Sequence, residues 1–162
     1  MPNDAQRLRH LYDAHAQQVY RRALRLLGNP ADAEEAMQEV FIRAAAHLDD
    51  LQHGFAIRWL YRTTTNYCHN LMRDRRRRRE LLDERGPRPE ADRRTPDALM
   101  TLRDLLARAD EKEAQAVIYV YIDQLPQSEA ADLMGISVRS LAYLLASFRT
   151  WAATQVGEGG VQ

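Results

Sequence analysis

The sequence predicts an all-α protein built as two small helical domains joined by a flexible linker. Two observations carry this. Apolar residues recur at three- and four-residue spacing through almost the whole chain outside its middle. The middle itself, DERGPRPEADRRTPDA, holds three prolines, a glycine and dense mixed charge with no large apolar residue, the composition of a tether. A third points the same way: VIYVYI could pass for a strand, yet it lies inside a longer helical pattern and has no partner strands. The expected boundaries are a first domain at 1–79, a linker at 80–98, a second domain at 99–155 and a disordered tail at 156–162.

In the first helix Leu8, Leu11, Tyr12, Val19, Tyr20, Ala23, Leu24 and Leu27 make the apolar stripe, and Gly28 closes it. Asn29 suits the N-cap of the next helix and Pro30 its first turn. Asp32, Glu34 and Glu35 then lie at its positive end. This second helix should run to about Leu48. After the loop DDLQHG a third helix spans FAIRWLYRTTTNYCHNLMRDRRRRRELL, its period carrying across the poor helix formers Thr63 to Thr65. Beyond the linker, LMTLRDLLARA, KEAQAVIYVYIDQL, SEAADLM and SVRSLAYLLASFRTWAA read as four short-jointed helices. In the last two, Ala131 and Gly135 stand four apart and Ser137 can cap the final helix, the pattern of a helix-turn-helix.

Composition narrows the function classes. The chain has 162 residues, 45% of them hydrophobic and 28% charged, an ordinary soluble balance. No apolar run approaches the ~18 residues a membrane span needs, and the start lacks a signal pattern, so a cytoplasmic protein without membrane insertion is expected. The single cysteine, Cys68, makes no internal disulfide and reads as a half-buried core thiol. The histidines are scattered, there is no Gly-rich phosphate loop and no nucleophile-plus-base pair, so no cofactor, metal or enzymatic role is expected. Net charge is zero but unevenly spread. Residues 1–79 carry 14 Arg against 9 acids, residues 80–100 carry 4 against 6, and residues 101–162 carry 5 cations against 8 acids. The basic field lies in the N-terminal half.

Two surfaces stand out there. RDRRRRRELL ends an aromatic-studded helix, WLYRTTTNYCHNLM. Guanidinium groups neutralise phosphates while Trp59 and Tyr61 can stack on unpaired bases, and Asn66 can bond a base edge. The plain alternative is a solvated helix end with both aromatics in the core. On the second helix Asp32, Glu35, Gln38, Glu39 and Ile42 recur at three and four spacing, an acidic-polar stripe that alone reads as a solvated face.

The pattern DAEEAMQEVF at 32–41, followed by WLYR at 59–62 and an Arg-rich helix end, resembles region 2 of bacterial extracytoplasmic-function (ECF) RNA polymerase sigma factors. The linker and helix-turn-helix resemble region 4, so the resemblance covers nearly the whole chain. It implies that Asp32, Glu35, Gln38, Glu39 and Ile42 dock on the clamp helices of the polymerase largest subunit, with the flap as a further contact. It also implies that the DDLQHG loop, with Arg58, Trp59, Tyr61, Arg62 and Asn66, opens the −10 promoter element and holds a flipped base. Asn70, Arg73, Arg75, Arg76, Arg77 and Arg78 would track the DNA backbone. Physics agrees with such a division: an extruded base needs hydrogen-bonding edges, and a separated strand needs cationic walls.

The second domain departs from the family pattern. Leu141, Leu145, Phe148 and Ala152 should face its core, leaving Arg139, Ala142, Tyr143, Ala146, Ser147, Arg149 and Thr150 outward. Family members typically place several Lys or Arg on this face to read the −35 element. Here Arg139 and Arg149 are its cations. Ser137, Arg139, Ser140, Tyr143, Ser147 and Arg149 are the candidates for DNA or partner contact. Either the domain reads a −35 site weakly, partly through DNA shape, or its face binds protein: an activator, an anti-sigma factor or a second copy. The competing function is a sigma-like adaptor or decoy acting through protein contacts. A free-standing repressor is disfavoured by the acidic second half.

Overall fold

The computed structural model describes residues 3–51, 54–83 and 97–159. Among these there are helices and no strands. They pack as two units, residues 1–72 and 73–162. Residues 84–96 of the expected linker, Gln52 and His53 of the DDLQHG loop, and residues 160–162 of the tail lie outside the described residues.

In the first unit, α1 (Asp4–Leu27) starts on a reciprocal capping box. Asn3 Oδ1 accepts from the Gln6 amide at 2.9 Å, and Gln6 Oε1 accepts from the Asn3 amide at 3.2 Å. Gly28 ends the helix at φ 74°, its N–H donating to Leu24 O at 2.8 Å, a left-handed turn that glycine adopts without penalty. Asn29 then caps α2 (Pro30–Ala45) by accepting from the Ala31 and Asp32 amides. The core is Val19, Val40, Phe41, Ala44, Leu51 and Leu60, with Leu8, Leu11, Met37 and Trp59 packed on it.

The third helix, α3 (Ala56–Asp83), passes through the threonine run because its hydroxyls are used. Thr64 Oγ1 donates to Leu60 O at 2.6 Å and Thr65 Oγ1 to Tyr61 O at 2.8 Å, so neither buried hydroxyl is left unsatisfied. Thr65 Oγ1 also accepts from Arg22 Nε at 3.2 Å and Nη2 at 2.6 Å. Arg22 is 6% exposed, and its guanidinium lies 3.6 Å from the centroid of the Tyr61 ring. A buried cation thus ties α1 to α3.

The second unit contains α4 (Asp97–Arg108), α5 (Glu111–Val117), α6 (Gln127–Met134) and α7 (Val138–Gly159). The strand-like IYVYI is a π-helical continuation of α5 at Ile118–Ile122, with Asp123 N–H donating to Ile118 O at 2.9 Å. Gly135, at φ 68°, closes α6. Its amide donates to Asp132 O at 3.1 Å and the Ile136 amide to Ala131 O at 3.0 Å, the paired bonds of a Schellman turn. Ser137 Oγ accepts from the Ser140 amide at 3.0 Å, capping α7. Leu141, Leu145 and Phe148 are buried as expected, with Ala152 half-buried.

Three expected boundaries change. The first unit stops at residue 72, because Arg73 onward groups with the second unit, where Arg76 Nε reaches Asp104 Oδ1 of α4 at 4.0 Å. Residues 80–83 belong to α3 and 97–98 to α4, so both flanks of the expected linker are helical. The expected tail is helical to Gly159, since extending an existing helix gains one hydrogen bond per residue ordered while only starting one is costly.

Cys68 is fully buried, more than the half-buried thiol expected, and burial pushes its pKa up from 9.0 to about 12, partly countered by Arg22. Below pH 9 the thiol is neutral in both folded and unfolded chains. Between pH 9 and 12 the unfolded chain ionises first, so this group withdraws stability as pH rises through that window. Iodoacetamide should therefore label Cys68 far more slowly in the native chain than in urea at pH 8; equal rates would contradict its burial. For the joint between α1 and α3, Thr65→Val should cost about 1–3 kcal/mol because it strips an acceptor from a buried cation. Arg22→Met removes the charge as well and should cost less. Urea midpoints check the order.

Candidate functional site

Two faces of the first unit carry the exposed chemistry. On α2, Glu35 and Gln38 are exposed, and Ile42 is 65% exposed although apolar. Glu39 is half-buried and held by Arg43, whose Nε donates to Glu39 Oε1 at 3.3 Å. The Arg43 guanidinium also lies 5.3 Å from the centroid of the Tyr67 ring on α3. Burial raises the Tyr67 pKa, with Glu35 and Glu39 adding to the rise and Arg43 opposing it. The phenol therefore stays neutral beside an acidic face.

Asp32 does not share this face. It is 8% exposed, because at four-residue spacing it leads to Ala36 and Val40, which are buried, and not to Gln38 and Ile42. As an acidic residue in the first turn it complements the helix dipole. The expected stripe therefore contracts to Glu35, Gln38, Glu39 and Ile42.

On α3 the buried set is Leu60, Thr64, Thr65, Cys68, His69 and Met72. Opposite it, at helical spacing, fall Arg62, Asn66 and Asn70 of the first unit, and Arg73 and Arg77 follow on α3 in the second. Arg62, Asn70 and Arg77 are exposed, and Asn66 and Arg73 half-buried. A helix face of alternating cations and amides can track a phosphate chain and bond base edges from one side. Arg78 is exposed nearby and Arg75 half-buried.

Four of the expected contributors are engaged otherwise. Tyr61 presents its ring to Arg22, which occupies one stacking surface. Trp59 packs on the core cluster, with its ring 5.6 Å from that of His47. Arg58 is half-buried. Arg76 pairs with Glu80 at 2.6 Å and approaches Asp104, so much of its charge is answered inside the chain.

Sequence reasoning missed several residues that shape these faces. Arg7 pins the segment after α2, with Nη2 donating to Leu48 O at 2.7 Å and Nη1 3.1 Å from Asp49 Oδ1. Phe55, just before α3, is 60% exposed next to Gly54, whose φ is 87°. Arg22 had a readable signal: it lies three residues after Val19 and four before Leu26, on a buried stripe where a lone cation needs partners. Tyr67 had none, since only packing brings it beside α2.

On α7, Arg139, Ala142, Tyr143, Ala146, Arg149 and Thr150 face outward, Tyr143 at 74% exposure. Ser147 does not join them. Its Oγ donates to Glu113 Oε1 of α5 at 2.7 Å, which ties it to the unit's own packing. The Ser137 hydroxyl is used as the helix cap and also bonds Ser140 Oγ at 3.0 Å. Arg149 leans toward the Tyr121 ring, 5.9 Å from its centroid. Arg139 and Tyr143 remain the most available groups.

Residues 11–78 match the family model for Sigma-70 region 2. The chain is 35% identical over 130 residues to the ECF RNA polymerase sigma factor SigE of Mycolicibacterium smegmatis, covering 80% of this chain and 47% of that protein. It is 29% identical over 145 residues to SigW of Bacillus subtilis, covering 79% and 77%. It is 35% identical over 111 residues to SigL of Mycobacterium tuberculosis, covering 66% and 61%. The chain thus spans about half the length of the SigE relative. Its fold is similar to that of the sigma factor RpoE from Bartonella quintana, solved in complex with the anti-sigma factor NepR. The TM-score is 0.54 at 18% identity, covering 92% of this chain and 96% of that one. The matched region carries the DAEEAMQEVF and WLYR segments on α2 and α3, and over most of its length the chain is similar to ECF RNA polymerase sigma factors.

Proposed function

We propose that this protein is a transcription initiation factor that binds core RNA polymerase and recognises and melts the −10 promoter element, with weak or unusual −35 recognition. The observation that carries the reading is the separation of chemistry within the first unit. Glu35, Gln38, Glu39 and Ile42 line an acidic-apolar face on α2, while Arg62, Asn66 and Asn70 lie along the outward face of α3. The first face suits a basic protein helix; the second suits a nucleic acid strand. Flipping bases out of the duplex costs a few kcal/mol, to be offset by stacking and base-edge bonds at the loop before α3 and by phosphate contacts along it. The chain supplies recognition, and the polymerase supplies the chemistry of RNA synthesis.

The second unit supports a smaller role in DNA reading. Each good bidentate Arg–guanine pair contributes about 1–3 kcal/mol of base discrimination. The outward face of α7 offers Arg139 and Arg149, and Arg149 already leans on Tyr121. This face also motivates the second reading, an adaptor or decoy that binds polymerase or a regulator without reading a −35 element. An anti-sigma factor or an activator is the partner class proposed for it, as the fold relative RpoE was solved with an anti-sigma factor.

Run-off transcription with core polymerase separates the readings. The wild-type chain should direct initiation, and Gln38→Ala combined with Glu39→Ala should reduce it at least tenfold while leaving the helical signal intact. Mapped start sites should share a −10 motif, and Arg139→Ala should change output less than threefold. Tight core binding without initiation at any promoter would overturn the sigma reading in favour of the decoy. A sharp −35 motif lost in Arg139→Ala would overturn the reduced role of α7.

A further inference from the structure

The acidic face of α2 does not end on α2. Arg43 stands one turn beyond Glu39 and holds its carboxylate at 3.3 Å. Behind the guanidinium lies the ring of Tyr67, contributed by α3, with centroid and Cζ 5.3 Å apart. The pair Glu39–Arg43 is about two-fifths exposed at each side chain. By itself such a pair is weakly held, because two long side chains lose entropy in water for little Coulomb gain. A ring face under the guanidinium attracts it through the ring quadrupole and removes one side from solvent. Ile42, the exposed apolar residue of this face, sits between the two charged partners in sequence.

We propose that Tyr67 and Arg43 extend the polymerase-binding face onto α3, with Tyr67 acting as the positioning residue that fixes Arg43 and, through it, the Glu39 carboxylate. The inference rests on reading the α2 face as the polymerase contact. Its consequence is chemical. The face presents fixed acids at Glu35 and Glu39, an apolar contact at Ile42 and a cation at Arg43. A complementary partner helix carries basic groups opposite the acids and an acidic or amide group opposite Arg43. Burial, with Glu35 and Glu39 adding to it, pushes the phenol pKa up, and the neutral ring offers the guanidinium an electron-rich face.

Affinity of the full chain for core RNA polymerase tests this, measured by fluorescence anisotropy of the labelled protein. Gln38→Ala serves as the control for the α2 reading. Tyr67→Ala should weaken binding about two- to fivefold, Tyr67→Phe should restore it to within a factor of two, and Arg43→Ala should weaken it comparably. The double variant Arg43→Ala with Tyr67→Ala should be little worse than either alone, because both break one stack. A merely structural Tyr67 would instead lower the unfolding midpoint and leave affinity additive with Arg43→Ala. Unchanged affinity in Tyr67→Ala, with Gln38→Ala weakened, overturns the extension to α3 alone. Unchanged affinity in both overturns the α2 reading and the extension together.

Discussion

The first unit depends on one buried cation. Arg22 projects from α1 into the seam with α3, where Thr65 Oγ1 accepts two of its N–H groups and Tyr61 covers its face. Burying a guanidinium costs several kcal/mol unless bonds replace the lost water. Here the replacement comes from a threonine that is itself bonded back to its helix at Tyr61 O. The arrangement fixes the rotation of α3 about its own axis. With Thr65 and Tyr61 turned to α1, the residues on the opposite side, Arg62, Asn66 and Asn70, are turned away from it. The orientation of the proposed nucleic-acid face is thus set by an interaction on the far side of the same helix.

That constraint also explains the separation of charge. α2 packs against α1, and its Ala33, Ala36, Val40 and Ala44 are fully buried. Its remaining face carries Glu35, Gln38, Glu39 and Ile42. Had the acids and the arginines of α3 faced each other they would have neutralised one another as internal pairs. Among the described residues, the cation that takes an acid of this face is Arg43, and it comes from α2 itself. The proposed polymerase face and the proposed nucleic-acid face thus differ in the sign of their charge. Residues 101–162 have no comparable basic field, with 5 cations against 8 acids, and Tyr143 is the most exposed aromatic on α7.

Much of this was legible in the residues. Helix positions come from apolar spacing, and the caps at Asn29 and Ser137 and the stops at Gly28 and Gly135 are local chemistry that tertiary packing does not alter. The contributors that changed role are those whose fate packing decides. Asp32 looks like part of a stripe at three-residue spacing, but the helix turns it onto the buried side with Ala36 and Val40. Ser147 looks outward on a helical wheel, but Glu113 of a neighbouring helix claims its hydroxyl. Tyr61 and Arg76 looked available to DNA because nothing in the sequence shows that Arg22 and Glu80 take them. IYVYI was ambiguous for a physical reason: β-branched and aromatic residues suit strands, and only the absence of partners left it a helix, which accommodates them by widening to a π turn.

The central claim is that the first unit, once on polymerase, opens the −10 element with little help from α7. The most direct measurement places 2-aminopurine within the −10 element of a mapped promoter and monitors its fluorescence on mixing with core enzyme and this protein. The account predicts a rise that persists when the −35 sequence is scrambled and is lost with Asn66→Ala and Arg62→Ala combined. A stable complex with core and promoter that produces no rise, or a rise abolished by scrambling the −35 sequence, would contradict it.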